Sequence, residues 1–147
     1  MSIKLTYALI GALSLTMGLM PVAFADPPAR TVNYLGSGTV TCPDGTTRPA
    51  YLQLQATQTG GTVTGTWLIG TNAILDTSAV GTVDNGKITP NHFALTGIET
   101  FTGVCFDENT PVTVDISGNC NTGDAKFSDA YGITGSFSKS GAFIGCS

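Results

Sequence analysis

From Val32 onward, apolar residues recur at every second position, and no stretch of ten or more residues carries the 3.6-residue repeat of a helix. A period of two belongs to extended chain, whose side chains point alternately to opposite faces. In Ala50 to Thr57, Leu52, Leu54 and Ala56 share one face while Tyr51, Gln53 and Gln55 share the other. In Val63 to Ile69 the apolar file is Val63, Gly65, Trp67 and Ile69. Turn residues punctuate the runs: Pro43-Asp44-Gly45, Gly60-Gly61 and Asp84-Asn85-Gly86. The last is the strongest hairpin signal, because Asn-Gly tolerates the positive φ angles of a type I′ turn.

Further runs span Val32 to Cys42, Ala79 to Val83, and His92 to Phe106 with a bend near Gly97. Val112 to Ile116, Phe127 to Phe137 and Ala142 to Cys146 complete the set. The expected fold is all-β: an antiparallel meander of eight to ten short strands, rolled into a closed or nearly closed barrel. A two-sheet β-sandwich is the alternative. Closure hides strand edges, which a chain so rich in β-formers needs.

Three copies of an apolar-Thr-Gly triplet stand at Val63-Thr64-Gly65, Leu95-Thr96-Gly97 and Ile133-Thr134-Gly135. Alternation puts each glycine on the buried face, where it permits coiling or makes room beside a large aromatic. The triplet therefore spells a coiled strand rather than a ligand-reading signature. Gly65-Thr66-Trp67 and the later Leu-Thr-Gly resemble fragments of avidin-type and lipocalin-type barrel strands. The resemblance covers these few residues. Avidin-type proteins wall their ligand with several tryptophans, where this chain has Trp67 alone. Lipocalins place their G-x-W near the mature start and a helix late in the chain. No binding residue carries over.

The first 25 residues read as a signal peptide: Lys4, an apolar stretch from Leu5 to Met20, the breaker Pro21, and Ala23-Phe24-Ala25 as a cleavage site near Ala25. Residues 26–31 form a Pro-rich arm expected to be flexible, and 32–147 a single domain. The expected location is secreted, periplasmic or cell-surface. All four cysteines (Cys42, Cys105, Cys120 and Cys146) lie in the exported part and read as two disulfides. Of the three connectivities, Cys105–Cys120 closing a hairpin with Cys42–Cys146 tying the domain ends is favoured.

Ten acidic against six basic side chains give a net charge of −4, and the basic residues are scattered singly. Phosphate binding needs concentrated positive charge, so nucleic acid and anionic membrane surfaces are disfavoured as partners. The single histidine, His92, has no Gly-x-Ser-x-Gly elbow to serve. Asp107-Glu108, Asp115 and Asp129 are the candidates for a catalytic carboxylate pair, but Asp107 and Glu108 read first as turn residues and Asp115 as solvated. Asn119, Asn121, Asp124 and Asp129 gather oxygens without the spacing or terminal Glu of a calcium loop. No metal or other cofactor is expected.

Asp129 is the exception to the pattern. On a continuous strand from Phe127 to Phe137 it would sit on the apolar face, able to orient a polar ligand with Trp67 and Tyr131 as walls. The favoured reading splits the strand at Ser128-Asp129-Ala130 and leaves the acid in water, since Asp favours turns. The chain is thus expected to be a non-catalytic exported module. Its partner would be a protein, glycan or small ligand, and self-assembly is a variant. A small-ligand carrier and a small secreted hydrolase are the alternatives.

Overall fold

The computed structural model describes residues 27–71, 78–141 and 145–147, so the expected signal peptide lies outside the described residues. Alternating sequence becomes nine strands: β1 (Arg30–Thr41), β2 (Thr47–Thr59), β3 (Thr62–Thr71), β4 (Ser78–Ile88), β5 (His92–Thr102), β6 (Val112–Asn119), β7 (Asp124–Asp129), β8 (Thr134–Lys139) and β9 (Gly145–Cys146). Each of β1 to β8 pairs antiparallel with its neighbour, and β1 pairs with both β2 and β8. The sheet therefore closes into an eight-stranded meander barrel, and the sandwich alternative falls away. The short β9 extends the seam by pairing with β1 at Val32 and Asn33, beyond the end of β8.

Arg30 and Thr31 already belong to β1, so the strand begins inside the stretch expected as a flexible arm. Pro43-Asp44-Gly45 turns as expected. The Asp44 carboxylate accepts from the Thr46 amide and hydroxyl, and Gly45 takes a φ of 88°. Asp84-Asn85-Gly86 does not turn. It lies within β4, where a register shift between Val83 and Asn85 leaves Asp84 as a bulge residue. Gly86 uses its positive φ of 126° there. Positive φ serves a bulge as well as a hairpin, which is why the local signal misleads. The chain reverses later, at Thr89 to Asn91, where the Thr89 hydroxyl accepts from the His92 amide. Gly97 does not bend β5 either: it is in register with Val83 and Val114 on both sides. The irregularity in β5 is at Thr100, and Phe106 lies past the strand.

One file of each strand fills the interior. Leu52, Leu54, Trp67, Ile69, Phe93, Leu95, Ile116 and Phe127 are among its buried members. Each hydrophobic side chain removed from water contributes roughly 1.5–3 kcal/mol. The triplet glycines behave as their pattern requires. A β-carbon on Gly65 or Gly97 would meet the backbone of the adjacent strand, and one on Gly135 would lie 2.7 Å from the Phe137 ring. The glycines let strands coil closely and rings lie flat across the barrel.

The disulfides join Cys42 to Cys105 and Cys120 to Cys146, not the pairs favoured from sequence. Only β6 separates Cys105 from Cys120, so they sit at opposite ends of the barrel. Cys42 follows the end of β1, while Cys146 pairs with Val32 near its start. Ten residues of strand hold that pair roughly 30 Å apart.

Candidate functional site

Two places gather polar groups with unusual surroundings. The first is a groove of about 400 Å³ on the outside of the sheet across β2 to β5. Register aligns Gln55, Thr66 and Thr82 in one cross-strand row, and Gln53, Leu68 and Val80 in the next. The shift between Val80 and Gly81 makes Thr100 an extra residue on β5, and its hydroxyl donates to the Val80 carbonyl at 3.2 Å. The groove thus carries two amides, three hydroxyls and the aliphatic side chains of Leu68 and Val80. Among the described residues, no ionisable side chain lines it. Phe101, half-buried, stands beside Val80 as its register partner.

The second place is inside, at the barrel end that holds the β1–β2, β5–β6 and β7–β8 connections. Glu99 continues the inward file of Phe93, Leu95 and Gly97, and is 1 % exposed. Thr102, fully buried, lies against it. Asp129 closes β7 opposite Val114, itself the partner of Gly97. Its Oδ1 accepts from the Ile133 amide at 2.9 Å and cinches the β7–β8 turn. The strand does split, but at residues 130–133 rather than at Ser128-Asp129-Ala130: Ser128 and Asp129 stay paired in β7, and Asp129 is half-buried beside Glu99 instead of lying open to water. Desolvation, then the charge of Asp129, pushes the Glu99 carboxyl up to about 8. Burial also raises Asp129, against the amides that donate to it. Together the pair holds a proton near neutrality, carried by Glu99.

Trp67 and Tyr131 fall on either side of this pair. Trp67 is a core residue, tilted against Phe127 with centroids 5.1 Å apart. Its row runs Trp67, Gly81, Glu99 across three strands. Tyr131 stands on the rim, where its hydroxyl donates to the Thr110 carbonyl and its ring meets Phe106 edge-on at 5.5 Å. The expected trio is therefore not a pocket wall: one member is in the core, one beside Glu99 and one outside on the rim.

His92 is exposed at the opposite end of the barrel, at the start of β5. Asp107 and Asp115 are exposed, and Glu108 is occupied by Asn109 and Thr110 of its own loop. Among the described residues no three His, Cys, Asp or Glu side chains gather as metal ligands. Among the described residues there is no helix long and apolar enough to cross a membrane. Glu99 escaped the sequence reading, although its signal was there: it is the fourth member of an otherwise apolar alternating file.

Fold and sites together define a closed, disulfide-stapled meander barrel with a filled interior, of the kind that an oxidising compartment favours. No protein-family model, curated protein or solved structure matches this chain.

Proposed function

We propose that the chain is an exported, non-catalytic binding module that reads an uncharged, hydroxyl-rich ligand, a neutral glycan, on the outer face of β2 to β5. The observation that carries this reading is the composition of the groove. Amides and hydroxyls surround an aliphatic floor on paired strands, and among the described residues no charged side chain lines it to attract an ionic partner. Such a surface exchanges hydrogen bonds with sugar hydroxyls while Leu68 and Val80 cover the apolar ring faces. Tyr34, Trp67, Phe93, Phe127 and Phe137 occupy the barrel interior, which disfavours a carrier. The buried carboxyl pair of Glu99 and Asp129 lies at the barrel end away from His92, and Glu99 is closed to solvent, which disfavours a hydrolase.

The test is an amide NMR titration of the oxidised mature protein with neutral cello-, chito- and β-1,3-gluco-oligosaccharides, and with a polyanion as control. Binding is expected to move resonances of Gln53, Gln55, Thr66 and Thr82, and the double variant Q53A/Q55A to weaken it tenfold or more. Shifts confined to other surfaces, a response to the polyanion alone, or none at millimolar sugar would overturn the reading.

A further inference from the structure

Inside the barrel, aromatic rings lie against strand glycines: Tyr34 over Gly36, and Phe93 over its register partner Gly118. Both rings are buried and fill the core. Tyr51 repeats the arrangement on the opposite side of the sheet. It alternates with the inward Ala50 and Leu52, so it faces out, and its register partner on β3 is Gly70. A β-carbon on Gly70 would lie 2.6 Å from Tyr51 Cε1, so the ring rests across the glycine. Gly70 faces out as well, yet it is buried, while the ring above it stays half-exposed. No core needs this ring. It stands as an aromatic surface on the outer face.

Its position relates it to the groove. Outward positions of β2 and β3 form three successive rows: Tyr51 with Gly70, Gln53 with Leu68, and Gln55 with Thr66. The second and third rows belong to the groove already described. Alternate positions on a strand are about 7 Å apart, so the three rows span about 13 Å. The outside of a barrel curves across its strands and runs straighter along them. A ligand that touches all three rows therefore lies lengthwise, meeting an aromatic ring, then Leu68 beside an amide, then an amide and a hydroxyl.

We propose that the site extends onto Tyr51, and that its ligand is a straight, β-linked chain of three or more pyranose rings laid along β2 and β3. This rests on the reading of the groove as a neutral-glycan site and adds the residue that stacks a sugar and the direction of the chain. A pyranose with equatorial hydroxyls presents axial C–H bonds as an apolar face, which a tyrosine ring matches. Its hydroxyls leave from the ring edge, where Gln53, Gln55 and Thr66 stand. β-1,4-linked glucose or N-acetylglucosamine chains keep such faces in a line, whereas α-1,4-linked glucose curls away from it.

The experiment titrates oxidised mature protein with cello- and chito-oligosaccharides of increasing length, and with maltotetraose as control. Amide shifts and saturation transfer from the aromatic protons are followed together. Affinity is expected to rise about tenfold from two rings to three, the worth of one stacked ring, with maltotetraose far weaker. Saturation should pass from the Tyr51 ring to sugar C–H protons. Y51A, shown folded by circular dichroism, should lose the gain from the third ring while the Gln53 and Gln55 shifts persist, and Y51F should keep it. If Y51A fails to fold, Y51L covers Gly70 without a ring and should lose the same gain. Groove amides that shift while the Tyr51 ring stays silent, or Y51A and Y51L that bind like wild type, overturn this proposal and leave the groove reading standing. A protein whose groove amides respond to no sugar overturns both.

Discussion

Trp67 and Gly81 are register partners on β3 and β4, and the indole edge occupies the space that a β-carbon at position 81 would need. That notional carbon would lie 2.7 Å from Trp67 Cζ2 and would also meet the Ile98 carbonyl on the far side. The core is therefore built on a missing side chain as much as on the largest one present.

Gly81→Ala is expected to destabilise the barrel by about 1–3 kcal/mol, the usual cost of overpacking a filled core. Urea unfolding followed by Trp67 fluorescence measures it. Gly61→Ala is the control: a β-carbon there meets nothing within 4 Å, so its cost should be negligible. Equal losses at both positions would contradict the packing argument.

Stability is expected to fall as pH rises from about 4.5 to about 8. Over that window the folded state keeps the Glu99 proton that the unfolded chain has already released. Each unit costs at most about 1.4 kcal/mol while the difference of one proton lasts. Asp129, also raised, pulls in the same direction. Glu108 and Asp44 are held below their ordinary values by their loop hydrogen bonds, so their opposite effect belongs to more acidic pH. Urea midpoints at unit pH steps check the slope, and E99Q should flatten it.

Tyr34 donates its hydroxyl to the Gly123 carbonyl at 2.7 Å across the second end of the barrel. Burial first, and the charge of Asp124 second, push that phenol up to about 12, so it stays a donor through any working pH. Tyr34→Phe deprives a buried carbonyl of this partner and is expected to cost about 1–2 kcal/mol. Chemical denaturation reads the loss, and amide exchange should show faster opening of the Asn119–Gly123 turn.

Each disulfide is expected to be separately stabilising. The cysteines of Cys42–Cys105 are 63 residues apart and those of Cys120–Cys146 are 26 apart. Chain-entropy reasoning then assigns about 4 and about 3.5 kcal/mol to the two closures. Melting of C42S/C105S and C120S/C146S tests the ranking, and peptide mapping of the oxidised protein tests the pairing itself.

The strands were legible because a two-residue period admits little else, and the inward files of β2 and β3 emerge as read. The cysteine pairing was less legible because it depends on counting strands. An even number between two cysteines returns the chain to the same end of a meander, as β2 to β5 do for Cys42 and Cys105, and β7 with β8 do for Cys120 and Cys146. The Asp84-Asn85-Gly86 signal failed for a different reason: a bulge and a turn ask the same of a glycine. The outer groove has no signature at all, because it arises from cross-strand neighbours and the extra residue at Thr100.

β1 has one seam with its immediate successor and the other with β8, almost the whole chain away. A polypeptide that emerges in order can zip β1 onto β2 at once, but the opposite flank of β1 must wait until Thr134–Lys139 has come through. Pairings so distant in sequence are slow to form. The open flank is the moment of greatest exposure to wrong partners, and the finished cylinder owes its completion to the latest arrivals.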